Sequence, residues 1–205
     1  MFDNSIALIA FFTYDKFVIF YYINLKSIVE HYTIKNKKVR HMIRHAERQD
    51  LPAILSIYND AIINTTAVYS YESQTIEERE EWFERKVIAG EPILVFEQHQ
   101  QVVGFATYGS FRDWPAYLYS IEHSIYVDSA YRGHGIASQL LSQLMQIAKD
   151  EGYRTMVAGI DASNEVSIHL HEKIGFIHAG TINNVGYKFN RWLDLAFYQI
   201  DLLTK

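Results

Sequence analysis

Ser124-Ile125-Tyr126-Val127-Asp128-Ser129-Ala130-Tyr131-Arg132-Gly133-His134-Gly135-Ile136-Ala137-Ser138 changes its hydrophobic period on passing through two glycines. On the approach, Ile121, His123, Ile125 and Val127 alternate with Glu122, Ser124 and Tyr126, which is the two-residue period of a strand. Beyond the glycines, Ile136, Leu140, Leu141, Leu144, Ile147 and Ala148 form one helical stripe, which Gly152 closes as the C′ residue. A helix start offers unpaired N–H groups and the positive end of a dipole, and glycines leave the backbone open to a diphosphate. The stretch predicts a strand, an anion-binding loop and a helix. A bare Gly-x-Gly serves a tight turn equally well. Two common phosphate loops are excluded: no Gly-Lys-Ser/Thr follows, and Gly133-His134-Gly135-Ile136-Ala137-Ser138 lacks the third glycine of a dinucleotide fingerprint.

Outward from this loop, 205 residues of which 49% are hydrophobic can bury one sizeable core, so one domain with an appendage is expected. The absence of cysteine excludes disulfides, thiolate zinc sites, iron–sulfur clusters and a cysteine nucleophile. A net charge of −5 and the lack of a basic stripe with interleaved aromatics argue against nucleic acid as a partner. The nine histidines are scattered and His-Glu-x-x-His does not occur, so no metal is expected; nor does the Gly-x-Ser-x-Gly of a serine hydrolase.

Residues 1–41 read as an apolar and basic extension. Ser5 to Ile23 is apolar and aromatic but interrupted by Asp15 and Lys16, and Lys35, Lys37, Lys38 and Arg40 follow. Its runs fall short of the ~20 residues of a membrane span, and it lacks the basic start and small-residue cleavage site of a signal peptide. The expectation is an upstream extension from a mis-assigned start, without membrane contact, on a cytoplasmic protein; a peripheral anchor is the rival. The domain proper is expected over 42–205.

A short strand is expected at Met42 to His45. Asp50-Leu51-Pro52 reads as an N-cap and first-turn proline opening a helix through Tyr58 and Ile62, and Thr75-Ile76-Glu77-Glu78 as a capping box opening a helix to Gly90. Strands follow at Pro92 to Phe96, Val102 to Tyr108 and up to Val127, then helix, strand at Thr155 to Ile160, helix, strand, strand. An α/β fold with a mixed, mostly antiparallel central sheet flanked by helices is predicted.

Arg132-x-x-Gly135-x-Ala137 resembles the Gln/Arg-x-x-Gly-x-Gly/Ala signature of the GNAT superfamily of acyl-CoA-dependent N-acetyltransferases, and Asn164 to Phe176 resembles its later helix-to-strand segment. Ile121-Glu122-His123-Ser124-Ile125-Tyr126-Val127, Gly186-Tyr187-Lys188-Phe189 and Arg191-Trp192-Leu193-Asp194 narrow the likeness to the phosphinothricin and methionine sulfoximine N-acetyltransferases, over Met42 to Leu203. The resemblance implies a GNAT fold, acetyl-CoA as co-substrate, a small amino-acid acceptor and a homodimer, with Tyr187 to Trp192 at the interface or the pocket rim. It implies that Ile125, Tyr126 and Val127 hold the pantetheine arm, that Arg132, Gly133, His134, Gly135, Ile136, Ala137 and Ser138 hold the pyrophosphate, and that Asn164, which also reads as a helix cap, contacts CoA. It makes Glu122 the general base, and Arg112, Asp113, Trp114, Glu122, His123 and Ser124 the acceptor site, with Trp114, Tyr69, Tyr71 and Tyr108 as candidates for its wall, residues that taken singly belong more often to a core or an interface. An α-amino group has a pKa of about 8, so a carboxylate suffices to deprotonate it. An arginine can hold an amino-acid carboxylate bidentately. His171 stands where many GNAT enzymes carry a tyrosine proposed to protonate the departing thiolate, and its expected role is proton donor, partner of the base, or hydrogen-bonded helix residue. The rival functions are acetylation of a polyamine, an aminoglycoside or a protein N-terminus, and CoA sensing without turnover.

Overall fold

A computed structural model describes residues 41–203 and four two-residue strands nearer the N-terminus. The chain divides into two units at Arg40/His41. In the first, Ile6–Ala7 pairs antiparallel with Ile23–Asn24, and Thr13–Tyr14 with Phe17–Val18. The basic cluster at residues 35–40 lies outside the described residues. Among the described residues no helix is long and apolar enough to cross a membrane.

The second unit carries strands β1 (His41–His45), β2 (Ile93–Gln98), β3 (Gln101–Ser110), β4 (Ser120–Val127), β5 (Thr155–Asp161), β6 (Ile177–Lys188) and β7 (Arg191–Asp201). Helices α1 (Leu51–Asn64) and α2 (Ile76–Ala89) lie between β1 and β2, α3 (Ile136–Asp150) between β4 and β5, and α4 (Glu165–Ile174) between β5 and β6. One seven-stranded sheet has the order β6-β7-β5-β4-β3-β2-β1. Every neighbouring pair is antiparallel except β4 and β5.

Helix ends follow the local chemistry. Thr75 and Glu78 exchange the two hydrogen bonds of a capping box, at 3.3 and 2.7 Å, and Gly90 stops α2 at φ +72°. Gly152, at φ +87°, follows α3 as expected. Asn164 caps α4 by accepting the Ser167 N–H at 3.1 Å. Asp50 departs from expectation. It stands at the start of α1 but makes no side-chain cap; its buried carboxylate pairs with Arg44 at 2.6 and 2.9 Å and accepts Glu47 N–H at 2.7 Å. A buried carboxylate gains more from a bidentate guanidinium than from one backbone amide.

The alternation of β4 sorts the two faces of the sheet. Ile121 is buried with Leu140, Leu141, Leu144 and Ala148 of α3 and with Met156 and Ala158 of β5, while Leu51, Ile54 and Ile57 of α1 pack with Val95 and Phe105 on the opposite face. Tyr126 belongs to that second face, edge-on to Tyr58 at 5.2 Å and against Phe105 at 5.1 Å. Gly104 lets α3 approach: a Cβ there would stand 3.2 Å from Ile136 Cγ2 and 3.3 Å from Leu140 Cδ1.

Leu144 is fully buried at the centre of the α3 face. Leu144→Ala is expected to lower the unfolding free energy by about 2–5 kcal/mol, read as a fall in the denaturant midpoint at constant m-value.

Candidate functional site

The parallel ladder between β4 and β5 lasts three residue pairs, Ser120 with Thr155, Ile121 with Met156 and Glu122 with Val157. Past it, β4 stays on β3 as far as Val127, and β5 stays on β7 as far as Asp161. The strands separate into a wedge. Two cavities fill it: one of about 300 Å³ bordered by Tyr69, Glu122, His123, Ser124, Gly159 and Asp161, and one of about 780 Å³ bordered by Val127, the loop at Tyr131 to Ser138, Phe189 and Arg191. They join, since Thr66, Ala67, Ile125, Tyr126, Asn164 and Ser167 border both.

The larger cavity presents backbone groups suited to an anion and to an extended amide chain. Gly133 and Gly135 hold left-handed φ of +80° and +74°, a conformation that favours glycine, and a Cβ on either would meet nothing within 4 Å. No side chain caps α3, whose first N–H groups open onto this loop. The loop's own side chains brace it. Arg132 Nε donates to Val127 O at 3.1 Å and its terminal nitrogen pairs with Asp60 at 3.2 Å, while His134 Nδ1 lies 2.9 Å from Arg132 O. Backbone amides rather than the Arg132 guanidinium are therefore left for an anion. The unpaired edge of β4 at Ile125 to Val127 offers N–H and C=O groups to an extended amide chain.

Two carboxylates border the smaller cavity, and their surroundings differ. Asp161 is buried and saturated: Oδ1 accepts Ser163 N and Oγ, both at 2.9 Å, Oδ2 lies 3.4 Å from Arg191, and the Thr66 hydroxyl bonds to it as well. These bonds hold its pKa below the usual carboxylate value despite burial. Among the described residues, Glu122 accepts no hydrogen bond, and its nearest cation, Arg112, is 4.0 Å away. Burial raises the Glu122 pKa, with Arg112 acting in the opposite sense. Arg112 itself is half-exposed, its guanidinium 4.2 Å from the Phe111 ring centre and donating to Phe111 O at 2.7 Å.

His123 and His171 form a hydrogen-bonded pair on the other face of β4 from Glu122. Their Nε2 atoms are 3.1 Å apart, and His171 Nδ1 lies 2.7 Å from Ser167 O. Because a carbonyl only accepts, His171 carries its proton on Nδ1, and its Nε2 accepts from His123 Nε2–H. His123 Nδ1 is then a buried acceptor without a partner. Burial and the neighbouring imidazole push the His123 pKa down to about 3, and burial lowers that of His171. In this arrangement His171 has no free N–H to offer a thiolate and no hydrogen bond to Glu122.

The wedge brings together Glu122, His123, Ser124, Ile125, Tyr126, Val127, Arg132, Gly133, Gly135, Ile136, Ala137, Ser138, Asn164 and His171. Arg112, Asp113, Trp114, Tyr71 and His134 lie outside both cavity linings, Trp114 being 74% exposed. Tyr108 was expected in the acceptor wall and is instead in the core, 1% exposed, its hydroxyl bonded to Glu151 at 2.5 Å. Strand alternation puts it on the α3 face. Three residues have roles that their sequence context does not reveal. Gly159 leaves room for Glu122, since a Cβ there would meet Oε1 at 3.0 Å; Gly186 leaves room for Tyr69; and Lys188 is buried. Gly159 alone interrupts the apolar run of β5, the one hint available. Among the described residues no three His, Cys, Asp or Glu gather as a metal site.

Residues 39–176 match the Acetyltransferase (GNAT) family. An L-amino acid N-acyltransferase, MnaT, of Escherichia coli K12 is 41% identical over 160 residues, covering 78% of this chain and 93% of the relative. An L-methionine sulfoximine/L-methionine sulfone acetyltransferase of Pseudomonas paraeruginosa PA7 is 43% identical over 161 residues, covering 78% and 94%. Among solved structures, an N-acetyltransferase of Staphylococcus aureus Mu50 superposes with a TM-score of 0.79 at 67% identity, over 80% of this chain and 99% of that one. A Salmonella typhimurium acetyltransferase solved with its cofactor acetyl-CoA gives 0.78 at 39% identity, over 80% and 95%.

The neutral histidine pair has a consequence for acid stability. An unfolded histidine binds its proton near pH 6.5, whereas folded His123 binds it near pH 3, so stability is lost as pH falls through that window, by about 1.4 kcal/mol per pH unit. His171, shifted the same way, adds to the loss. Unfolding midpoints measured between pH 6.5 and 4.5 are expected to fall more steeply in the wild type than in His123→Gln; parallel slopes would contradict the assignment.

Proposed function

The chain belongs to the acetyltransferase (GNAT) family, and from that membership we propose that it transfers acetyl from acetyl-CoA to the α-amino group of a small glutamate-like amino acid, such as methionine sulfoximine, methionine sulfone or phosphinothricin. The names of the E. coli and Pseudomonas relatives support the acceptor class, and the Salmonella structure supports the donor. The observation that carries the reading is Glu122, a half-buried carboxylate that borders the smaller cavity and, among the described residues, accepts no hydrogen bond.

In this reading the larger cavity is the donor groove. The amides of Gly133 to Ser138 at the start of α3 hold the diphosphate, the backbone of Ile125, Tyr126 and Val127 pairs with the pantetheine amides, and Asn164 contacts the cofactor as well as capping α4. The smaller cavity takes the acceptor, whose carboxylate Arg112 binds at the rim, with Asp113 and Trp114 on the same loop and His123 and Ser124 beneath. Glu122 takes one proton from the ammonium. The nitrogen lone pair then attacks the thioester carbonyl carbon, the C–S bond breaks, and the second amine proton passes to the thiolate, giving amide and thiol. Strand amides polarise the carbonyl. His171 fixes His123 behind the reacting strand and would have to leave Ser167 or His123 before it could donate. The same reading includes a cytoplasmic homodimer, supported by the exposure of Tyr187, Phe189 and Trp192 on one hairpin.

Glu122→Gln is expected to lower kcat/KM at pH 7 by about 10²–10⁴-fold while leaving CoA binding intact. A base acts when unprotonated, so wild-type kcat/KM should fall with decreasing pH through a pKa above the ordinary carboxylate value, and that limb should vanish in the variant. Turnover within a few fold of wild type overturns the base assignment. Binding of CoA without thiol release across methionine sulfoximine, methionine sulfone, phosphinothricin and spermidine overturns acetyl transfer.

A further inference from the structure

Lys188 ends β6 with its side chain 4% exposed, and its ammonium meets three backbone carbonyls: Ile62 at 2.5 Å, Val68 at 2.6 Å and Thr65 at 2.9 Å. Among the described residues its hydrogen bonds include no carboxylate. Ile62 lies in the last turn of α1, where carbonyls have no helical N–H to accept, and Thr65 and Val68 belong to the irregular segment that follows. The cation therefore sits at the negative end of the helix and replaces the donors that α1 lacks. Three N–H groups on one tetrahedral nitrogen match three converging carbonyls, which a planar guanidinium does not.

The held segment has a particular position. Thr65, Thr66 and Ala67 border the larger cavity, and Thr66, Ala67 and Tyr69 border the smaller one. The two residues before Lys188 hold its continuation. Gly186 has no side chain where Tyr69 packs, a Cβ there falling 2.6 Å from Tyr69 Cε2, and Tyr187 O accepts the Tyr71 hydroxyl at 2.6 Å. Three consecutive residues of β6 thus fix three points along 62–71.

We propose that Lys188 is a positioning residue that holds segment 65–68 as the wall common to donor groove and acceptor cavity, while Gly186 sets Tyr69 on the acceptor side alone. The assignment of the two cavities rests on the function proposed above.

The test compares Lys188→Met and Gly186→Ala in the full chain, both confirmed folded by circular dichroism. The readouts are the acetyl-CoA Kd by calorimetry and kcat and KM for methionine sulfoximine. Lys188→Met is expected to raise both Kd and KM by about tenfold with kcat at saturation within about threefold, because binding geometry is lost and the base is untouched. Gly186→Ala is expected to raise KM by about tenfold with the acetyl-CoA Kd unchanged. A stability role alone predicts a lower Tm with Kd and KM unaltered, and that result from folded Lys188→Met overturns the proposal. Should Lys188→Met not fold, Lys188→Arg takes its place, keeping the charge without the threefold match, under the same criteria. An unaltered KM in Gly186→Ala overturns the acceptor half. Should the wild type acetylate no amino acid, the function proposed above fails, and the Kd of the Lys188 variant still decides the donor half.

Discussion

The three-pair parallel ladder between β4 and β5 is the constraint on which the site depends. Each strand remains satisfied on its outer side, β4 by β3 and β5 by β7, so the sheet stays intact while the inner edges part. Backbone N–H and C=O groups left on those edges cannot be buried without partners. Such a wedge stays closed to apolar filling and open to water or to a ligand bearing its own amides. The connection between the two strands fixes the rest. A parallel pair requires a crossover, here α3, and a helix that begins where β4 ends delivers its N-terminal amides to the mouth of the wedge. Anion site and amide-binding edge are consequences of one topological choice.

Charge around the wedge is distributed unevenly. Asp161 is saturated with donors, Asp60 is taken by Arg132, and Lys188 is surrounded by carbonyls. The histidine pair is kept neutral by burial. Glu122 is left with an arginine at 4.0 Å and the empty side of Gly159. A carboxylate whose acceptor capacity is unspent retains basicity that a saturated one has lost. The contrast with Asp161, bordering the same cavity, separates the group able to accept a proton from the group that holds structure.

What the sequence made legible was local. The change of period at Gly133 and Gly135, the capping box at Thr75, the Asn164 cap and the alternation of β4 each depend on residues within one turn or one strand, and each is present. Tyr108 and Asp50 were misplaced for a shared reason. The resemblance placed an aromatic in a wall, and residue type and spacing placed a carboxylate on a cap, whereas their partners, Glu151 and Arg44, belong to other elements. The roles of Gly159, Gly186 and Lys188 were not legible because they are defined by atoms distant in sequence: Glu122 for the first, Tyr69 for the second, and carbonyls 120–126 residues away for the third.

That last separation bears on how the site is assembled. Residues 65–74 contain no helix or strand. Their carbonyls need donors once buried, and here the donors come from Lys188 on β6, the edge strand beside β7. Glu122, the loop at Gly133 to Ser138 and α3 all lie on one contiguous β4–α3 stretch. The wall does not. It exists only when β6 has paired with β7 and β7 with β5, which places Lys188 under the end of α1. Selectivity for what enters the wedge is therefore tied to completion of the whole sheet, whereas the groups that would act on it are tied to one strand and one helix.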